Sequence, residues 1–259
     1  MTRLVPYLVA CALALSANLT QAQQLDQNEA NNPLTPKITL NLHDYYVPRF
    51  YDLDDRWANQ LLFRGVIPFE AFGRGQLFRF TLPIATAPNF TSGHKTGLGD
   101  LTIMNIVPFA SGKVDYGVGA LLVLPTASDD LLGAGKWQAG LAGLVIAPET
   151  WGILGGLVTW QTSFAGDGDR EDVHLLTVQP IANYNLPNGW YLRSGATWNF
   201  DLQNGDYAIP VGFGAGRVIP ISRTTTINLF IEPQYTLWHE GPAQPKWQVF
   251  AGINIQLSR

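Results

Sequence analysis

The sequence is poor in the residue types that most often carry metal, redox or nucleophilic chemistry. Its 259 residues include one cysteine, four histidines and two methionines. Cys11 lies inside an N-terminal apolar stretch that is typical of an export signal, and without it the chain has neither disulfide bonds nor thiol chemistry. The histidines show no His-x-x-x-His spacing, so the common zinc motifs are excluded. We therefore predict no cofactor and no metal site.

Long hydrophobic runs are also missing beyond the N-terminus. No window after residue 22 contains the roughly 18 apolar residues that a membrane-spanning helix needs. The most apolar region, residues 137–160, is divided by Pro148, Glu149 and Thr150 into two pieces of strand-spanning length. The net charge of −4 argues against nucleic acid as a partner. Helices are thus a poor explanation for an apolar content of 46%.

The first residues predict export. A positive start at Arg3, an apolar stretch over residues 4–17 and small residues before Gln23 indicate a signal peptide over residues 1–22. The alternative is a lipoprotein signal, because Leu8-Val9-Ala10-Cys11 resembles a lipobox. Cleavage there would leave a very short signal and a hydrophobic new N-terminus.

The rest of the chain consists of strand-length segments. Five tight connections rich in Gly, Pro, Asn and Ser alternate with six longer, mostly hydrophilic ones. This alternation predicts an all-β fold over residues 37–259: an antiparallel transmembrane β-barrel of about 12 strands, with short periplasmic turns and longer extracellular loops. The predicted strands lie near residues 37–47, 59–69, 76–84, 99–109, 114–124, 137–147, 151–164, 173–184, 190–200, 208–219, 225–238 and 247–257. The polar segment over residues 23–36 would either enter the lumen as a small plug or hang free in the periplasm.

Side-chain alternation supports a membrane barrel. Over residues 225–238, apolar side chains such as Leu229 and Ile231 alternate with polar ones, and Phe230 is an exception. Phe250 is a second exception in the last strand. The eight tryptophans lie near strand ends, at the depth where indole prefers a membrane interface. Pro180 and Pro233 fall inside predicted strands, which predicts either a bulge or an error in the boundaries.

Three short segments resemble one family of outer-membrane proteins. Leu82-Pro83-Ile84-Ala85-Thr86, Gly97-Leu98-Gly99-Asp100-Leu101 and Leu124-Pro125-Thr126 are similar to the outer-membrane transporters of the MetA-pathway phenol-degradation type. The resemblance covers most of the mature chain in architecture, although the motifs themselves are short. It implies a barrel that passes small hydrophobic or aromatic molecules.

Such a barrel would lie in the outer membrane of a Gram-negative bacterium. Its partners would be outer-membrane lipid, lipopolysaccharide and the barrel-assembly machinery. Outer-membrane barrels usually end in an aromatic residue, whereas this chain ends Gln256-Leu257-Ser258-Arg259. Either Leu257 takes the place of the aromatic residue or the chain assembles less efficiently.

The alternation sends a set of polar side chains into the lumen. They are candidates for contact with a solute: Arg64, Arg79, Arg193, Asn228, Glu232, Gln234, Gln248 and Asn254. One interpretation is a constriction that selects solutes by charge and hydrogen bonding. The other, which we favour slightly, is a set of salt-bridged struts that fill a narrow interior. Gly212, Gly214 and Gly216 occupy every second position of one strand, and we interpret them as permitting strand curvature rather than leaving space for a permeant.

Three functions suit such a barrel. We predict a channel for passive uptake of small hydrophobic or aromatic molecules, with a structural or adhesive barrel as the alternative. A lipid-hydrolysing enzyme is less well supported, because Ser163 and His174 flank one loop but nothing orients a third member, and no nucleophile elbow is present. We therefore predict that the protein is not an enzyme. The acidic loop over residues 167–172 lacks EF-hand spacing and is expected to be solvated rather than to hold a divalent cation.

Overall fold

A computed structural model shows one closed barrel, and it describes residues 27–53, 55–89 and 93–258. The barrel has 12 spanning antiparallel strands, which confirms the predicted fold class. The predicted signal peptide lies outside the described residues. In chain order the strand segments are β1 (Ile38–Phe50), β2 (Ala58–Ala71), β3 (Arg74–Pro88), β4 (His94–Leu98), β5 (Leu101–Ser111), β6 (Val114–Leu124), β7 (Lys136–Glu149), β8 (Gly152–Gly166), β9 (His174–Asn185), β10 (Trp190–Ser194), β11 (Trp198–Asp201), β12 (Tyr207–Gly212), β13 (Gly214–Pro220), β14 (Thr225–Glu240) and β15 (Pro245–Leu257).

Pairing between the first and last strands closes the barrel. β1 pairs with β15 from Ile38 opposite Leu257 to Phe50 opposite Pro245. Every other strand pairs antiparallel with its neighbours, so the sheet has no free edge. Both ends of the described chain consequently lie on the side of the tight turns, called here the turn end. The opposite side is called the loop end.

Three of the 12 spanning strands are interrupted. β4 and β5 both pair with β3, β10 and β11 both pair with β9, and β12 and β13 both pair with β14. The first interruption falls at Gly99 and Asp100, where the predicted strand was expected to begin. The Asp100 carboxylate accepts hydrogen bonds from the backbone N–H groups of Ala127 at 3.1 Å and Ala134 at 2.7 Å. It thereby holds the loop over residues 125–135, called here the mouth loop, against the strand.

The other two interruptions explain the prolines that the sequence placed inside strands. Pro180 lies in β9, between the residues that pair with β10 and those that pair with β11. Pro233 lies in β14, where β12 ends and β13 has not begun, and its carbonyl accepts a hydrogen bond from the Phe213 N–H at 3.3 Å. Proline has no N–H to donate to a ladder, so it is tolerated where the neighbouring strand is broken. The predicted boundaries of the two strands hold, and the irregularity lies in their neighbours.

The two faces of the wall differ as the alternation predicts. On β14, Leu229, Ile231 and Leu237 are 37%, 53% and 46% exposed, whereas the polar side chains between them are almost completely buried. Apolar side chains on the outside of a closed barrel are covered by lipid in a membrane. Seven of the eight tryptophans are exposed. Trp198 is half-buried, and its indole N–H donates to the Pro210 carbonyl at 3.1 Å. No helix in residues 27–53, 55–89 or 93–258 is long and apolar enough to cross a membrane.

Candidate functional site

Residues 27–36, called here the plug, lie inside the barrel at its turn end. A short helix over residues 27–31 begins this segment. The Gln27 amide donates to the carbonyls of Leu186 at 3.1 Å and Trp190 at 2.8 Å, which places it against the turn before β10. Asn28 donates to the Glu149 carbonyl at 2.8 Å and accepts from the Asn185 amide at the same distance. Of the two positions considered for this polar segment, its described part thus takes the one inside the barrel.

Apolar contacts also hold the plug. Leu34 is 5% exposed and lies in a cluster contributed by β2, β3, β5, β7 and β8, whose other buried members are Val66, Leu77, Ile106, Leu144, Ile146 and Ile153. Ala30 packs in a second cluster with Tyr191, Val218, Phe230 and Phe250. The expectation of a polar lumen is therefore wrong at the turn end, because the plug supplies apolar groups that the wall can cover.

Glu232 and Arg193 form a buried ion pair above the plug. Arg193 Nε donates to Glu232 Oε2 at 2.7 Å, and the Glu232 side chain is fully buried. Its other oxygen accepts from the Gly195 N–H at 3.0 Å and from the Gln234 amide at 2.9 Å. Gln248 donates in turn to Gln234 Oε1 at 2.6 Å. These four candidates form one satisfied network across β10, β14 and β15, which is the arrangement that the strut interpretation predicts.

The two phenylalanines that broke the alternation explain how Arg193 is held. Its guanidinium carbon lies 3.8 Å from the centre of the Phe230 ring and 5.2 Å from that of Phe250. The two rings meet edge to face with centroids 4.8 Å apart. A guanidinium over an aromatic face is attracted by the negative ring quadrupole. Both rings lie in the interior, on the face that the alternation gives their positions, and contact with Arg193 explains why apolar side chains occur there.

The glycines of β12 and β13 make room for these side chains. A Cβ atom at Gly212 would collide with the Glu232 carboxylate, one at Gly214 with the backbone of Ile231 and Glu232 on β14, and one at Gly216 with the Tyr191 ring. Strand curvature, the interpretation favoured from the sequence, stays a prediction. Close approach of Glu232, Tyr191 and the β14 backbone is a second reason for these glycines.

Asn228 and Asn254 have different surroundings. Asn228 is 1% exposed, accepts a hydrogen bond from the Tyr191 hydroxyl at 2.7 Å and donates to Asn31 Oδ1 of the plug at 3.0 Å. Asn254 Oδ1 lies 2.6 Å from His43 Nε2. Because an amide oxygen only accepts, Nε2 carries the hydrogen, and Nδ1 is left to accept from Arg64 Nη1 at 3.2 Å. His43 thus links two of the candidates, and the sequence analysis did not select it.

Arg64 and Arg79 are the candidates without a charged partner. No carboxylate in the described part of the chain lies within 4.0 Å of either guanidinium. Arg64 Nε and Arg79 Nη1 are buried atoms with no hydrogen-bond partner among the described residues. A buried donor without a partner costs free energy, and a guanidinium donor costs more than a neutral one. The strut interpretation therefore fails for these two arginines.

Three cavities follow one another along the interior, and Arg64 lies in the wall of each. The central cavity, next to the plug, has a volume of about 170 Å³ and is lined by Arg64, Arg79, Arg193, His43 and both interior phenylalanines. A second, of about 200 Å³, lies between Arg64, Arg79, Met104 and Leu157. The third, the vestibule, has about 500 Å³ and reaches Leu131 and Leu132 of the mouth loop. Gln248, a member of the Glu232 network, also lines the vestibule.

The mouth loop is held over the loop end by ion pairs. Arg170 donates to the carbonyls of Asp130 at 2.8 Å and Gly133 at 2.5 Å and lies 3.7 Å from the Asp130 carboxylate. Lys136 lies 3.1 Å from Asp172. Hydrogen bonds from Lys136 and Ser163 lower the pKa of Asp172 below its ordinary value. The loop over residues 167–172 is mostly exposed, as expected, and Arg170 and Asp172 also tie it to its neighbours. No group of three His, Cys, Asp or Glu residues within the described ranges could hold a metal ion.

Ser163 and His174 flank this loop but have different partners. Ser163 Oγ donates to Asp172 Oδ1 at 3.1 Å, and His174 Nε2 accepts from the Trp160 indole N–H at 2.9 Å. The arrangement puts neither side chain in the relation of nucleophile to base.

Comparison with solved structures shows which known proteins have a similar fold. The COG4313 outer membrane channel from Pseudomonas putida F1 matches 88% of this chain and 97% of its own, with a TM-score of 0.63 and 15% identity. This chain has an outer-membrane barrel fold. The anion-selective porin from Comamonas acidovorans (TM-score 0.40, 10% identity, 85% of this chain and 98% of its own) and the outer membrane phospholipase A from Escherichia coli (0.43, 12%, 90% and 98%) are more distant. No protein-family model and no curated protein matches the chain. At these identities the likeness shows the fold alone, and that fold points to the bacterial outer membrane.

Proposed function

We propose that the barrel is a passive channel for uptake of small hydrophobic or aromatic molecules across the outer membrane, of the MetA-pathway type that its short motifs resemble. The observation that carries the proposal is the series of cavities from the mouth loop to the plug, which have Arg64 in common. A structural or adhesive barrel has no need of such a path.

The dimensions of the cavities support small solutes. A cavity of about 150 Å³ lined by apolar side chains is enough to hold benzene in another protein. The two inner cavities, of about 170 and 200 Å³, therefore suit a molecule with one ring. Phe230, Phe250, Met104 and Leu157 offer apolar contacts, and the polar groups beside them would orient the solute.

The proposal includes no catalytic step. Its support is that Ser163 and His174 bind to Asp172 and Trp160 and not to each other. If the purified protein hydrolysed lipid and the Ser163→Ala variant did not, the channel proposal would be rejected in favour of a lipid-hydrolysing enzyme.

Uptake by cells tests the channel. We expect cells with the gene to take up an aromatic growth substrate faster than cells without it, at a limiting concentration where passage through the outer membrane controls the flux. Ala85→Trp, which places an indole in the vestibule wall, should reduce uptake towards that of the deletion strain. The matched control is Ala251→Trp on the lipid face, opposite Ile231 on the neighbouring strand, which should leave uptake unchanged.

Several substrates decide between the candidates. Equal uptake of aromatic and aliphatic compounds with and without the gene, at equal amounts of folded barrel, would overturn the channel in favour of the structural barrel.

A further inference from the structure

The central cavity carries an uncompensated positive charge. Arg64, Arg79 and Arg193 line it, and no acidic side chain does. The one buried carboxylate nearby, Glu232, is already bonded to Arg193 at 2.7 Å and to two further donors. The second inner cavity repeats the pattern, with Arg64 and Arg79 in its wall and no acid. Two guanidinium charges thus face the inner cavities without a counter-charge among the described residues.

Arg64 and Arg79 are placed to act together. On the paired strands β2 and β3, Arg64 lies opposite Thr81 and Arg79 lies opposite Val66, so the arginines are diagonal neighbours on the interior face. Such positions are roughly 7 to 8 Å apart, within the joint reach of two long side chains. Like charges this close repel each other unless an anion lies between them. Planar guanidinium groups match the two oxygens of a carboxylate.

The unpaired donors favour the same kind of ligand. Arg64 Nε and Arg79 Nη1 are buried without a hydrogen-bond partner in the part of the chain that the structure describes. His43 accepts from Arg64 Nη1 and is fixed from behind by Asn254, so it orients Arg64 without neutralising it. A single carboxylate between the arginines would accept from both of them.

The apolar side chains near the two arginines indicate what the uncharged part of the ligand would be. Phe230 and Phe250 lie on one side of the arginine pair, and Met104 and Leu157 lie on the other. Cavities of about 170 and 200 Å³ leave room for a body of one ring or a short chain. We propose that the barrel interior contains a binding site for small organic monocarboxylates with an apolar body, in which Arg64 and Arg79 hold the carboxylate. This inference rests on the proposed channel function and names one class of solute for it.

Binding to the full-length barrel in lipid nanodiscs tests the site by titration calorimetry. Benzoate is the probe, and benzyl alcohol, which has the same ring and no charge, is the comparison. We expect benzoate to bind more tightly than benzyl alcohol. Arg64→Gln and Arg79→Gln should each weaken benzoate about tenfold to hundredfold, the range for loss of a hydrogen bond to a charged group. The matched control is Arg74→Gln at an exposed position beside the first tight turn, which should bind benzoate like the original protein.

The outcomes are distinct. Equal binding of benzoate and benzyl alcohol, or unchanged benzoate binding in both glutamine variants, would overturn the site. Inorganic phosphate that competes as strongly as benzoate would overturn the organic class, because the ring would then contribute nothing. Each variant is first shown to be folded by its resistance to unfolding in unheated SDS. Calorimetry is independent of transport, so a failed uptake experiment with intact benzoate binding would reject the channel and keep the site.

Discussion

At the scale of single residues, the interior separates its charges into a satisfied pair and an unsatisfied one. The Glu232 carboxylate forms an ion pair with Arg193 and also accepts hydrogen bonds from a backbone N–H and a side-chain amide. Arg64 and Arg79 have no acid within reach among the described residues. From the sequence, all three are equivalent lumen residues. Only their contacts distinguish Glu232, a structural strut, from Arg64 and Arg79, the proposed binding residues.

Removal of one member of the satisfied pair is expected to be costly. Glu232→Leu should lower the free energy of unfolding by about 3 to 5 kcal/mol, because it leaves the Arg193 charge buried against two phenyl rings without its partner. Urea unfolding in lipid vesicles measures the change. The double variant Arg193→Met with Glu232→Leu removes both charges and should recover most of the loss. A double variant no more stable than Glu232→Leu alone would show that the two side chains are not coupled.

At the scale of strands, each spanning segment has one face for lipid and one for the interior. Leu229 on β14 is 37% exposed on the outer face, whereas Gln248 on β15 lines the vestibule. The neighbour of Leu229 in the chain, Asn228, faces the interior but is fully buried and bonded to the plug. Adjacent positions that the alternation assigns to lumen and lipid can thus also differ in how tightly their side chains are packed and hydrogen-bonded.

Arginine scanning tests the two faces. Leu229→Arg should cost about 2 to 4 kcal/mol if the residue lies near the bilayer midplane. Gln248→Arg should cost far less, because its side chain lines the vestibule and a guanidinium there can still donate to Gln234. Equilibrium unfolding in vesicles gives both values. Similar penalties would contradict the assignment of the outer face to lipid.

At the scale of the whole molecule, much of the architecture is readable from the sequence. The alternation of short and long connections gave the strand count, and the segment Val114–Leu124 was predicted with the bounds that the structure has. The plug was not readable in the same way, because its position depends on hydrogen bonds to Leu186, Glu149 and Asn228. A short polar segment has no hydrophobic periodicity from which its hydrogen-bond partners could be predicted.

The interior was also only partly readable. The alternation places positions 230 and 250 on the interior face, and Phe230 and Phe250 are exceptions there only because they are apolar. Their contact with the Arg193 guanidinium is not visible in the sequence. His43 could have been found, since it shares the parity of the interior residue Asn41 on β1. Whether an acid lies beside Arg64 and Arg79 depends on contacts between distant parts of the chain, so it could not be predicted from the sequence.

The orientation in the membrane is a prediction for the whole molecule. The loops that contain Asp54, Ser92, Asp129, Asp169, Asn204 and Pro242 should be extracellular, and the turns at Gly73, Gly112, Thr150, Asn188 and Ser222 should be periplasmic. A cysteine in place of Asp169 should react on intact cells with a thiol reagent that does not cross the outer membrane. A cysteine in place of Asn188 should react only after the cells are opened. Equal labelling of both on intact cells would contradict the orientation.

The plug gives the barrel an order of events in time. Ala30 accepts a hydrogen bond at 3.2 Å from Gln256, which belongs to β15. The same strand closes the wall by pairing with β1. The plug therefore cannot complete its contacts before β15 is in place beside β1. Docking of the plug and closure of the wall are consequently coupled in folding, and a barrel that lacks β15 is unfinished in both respects.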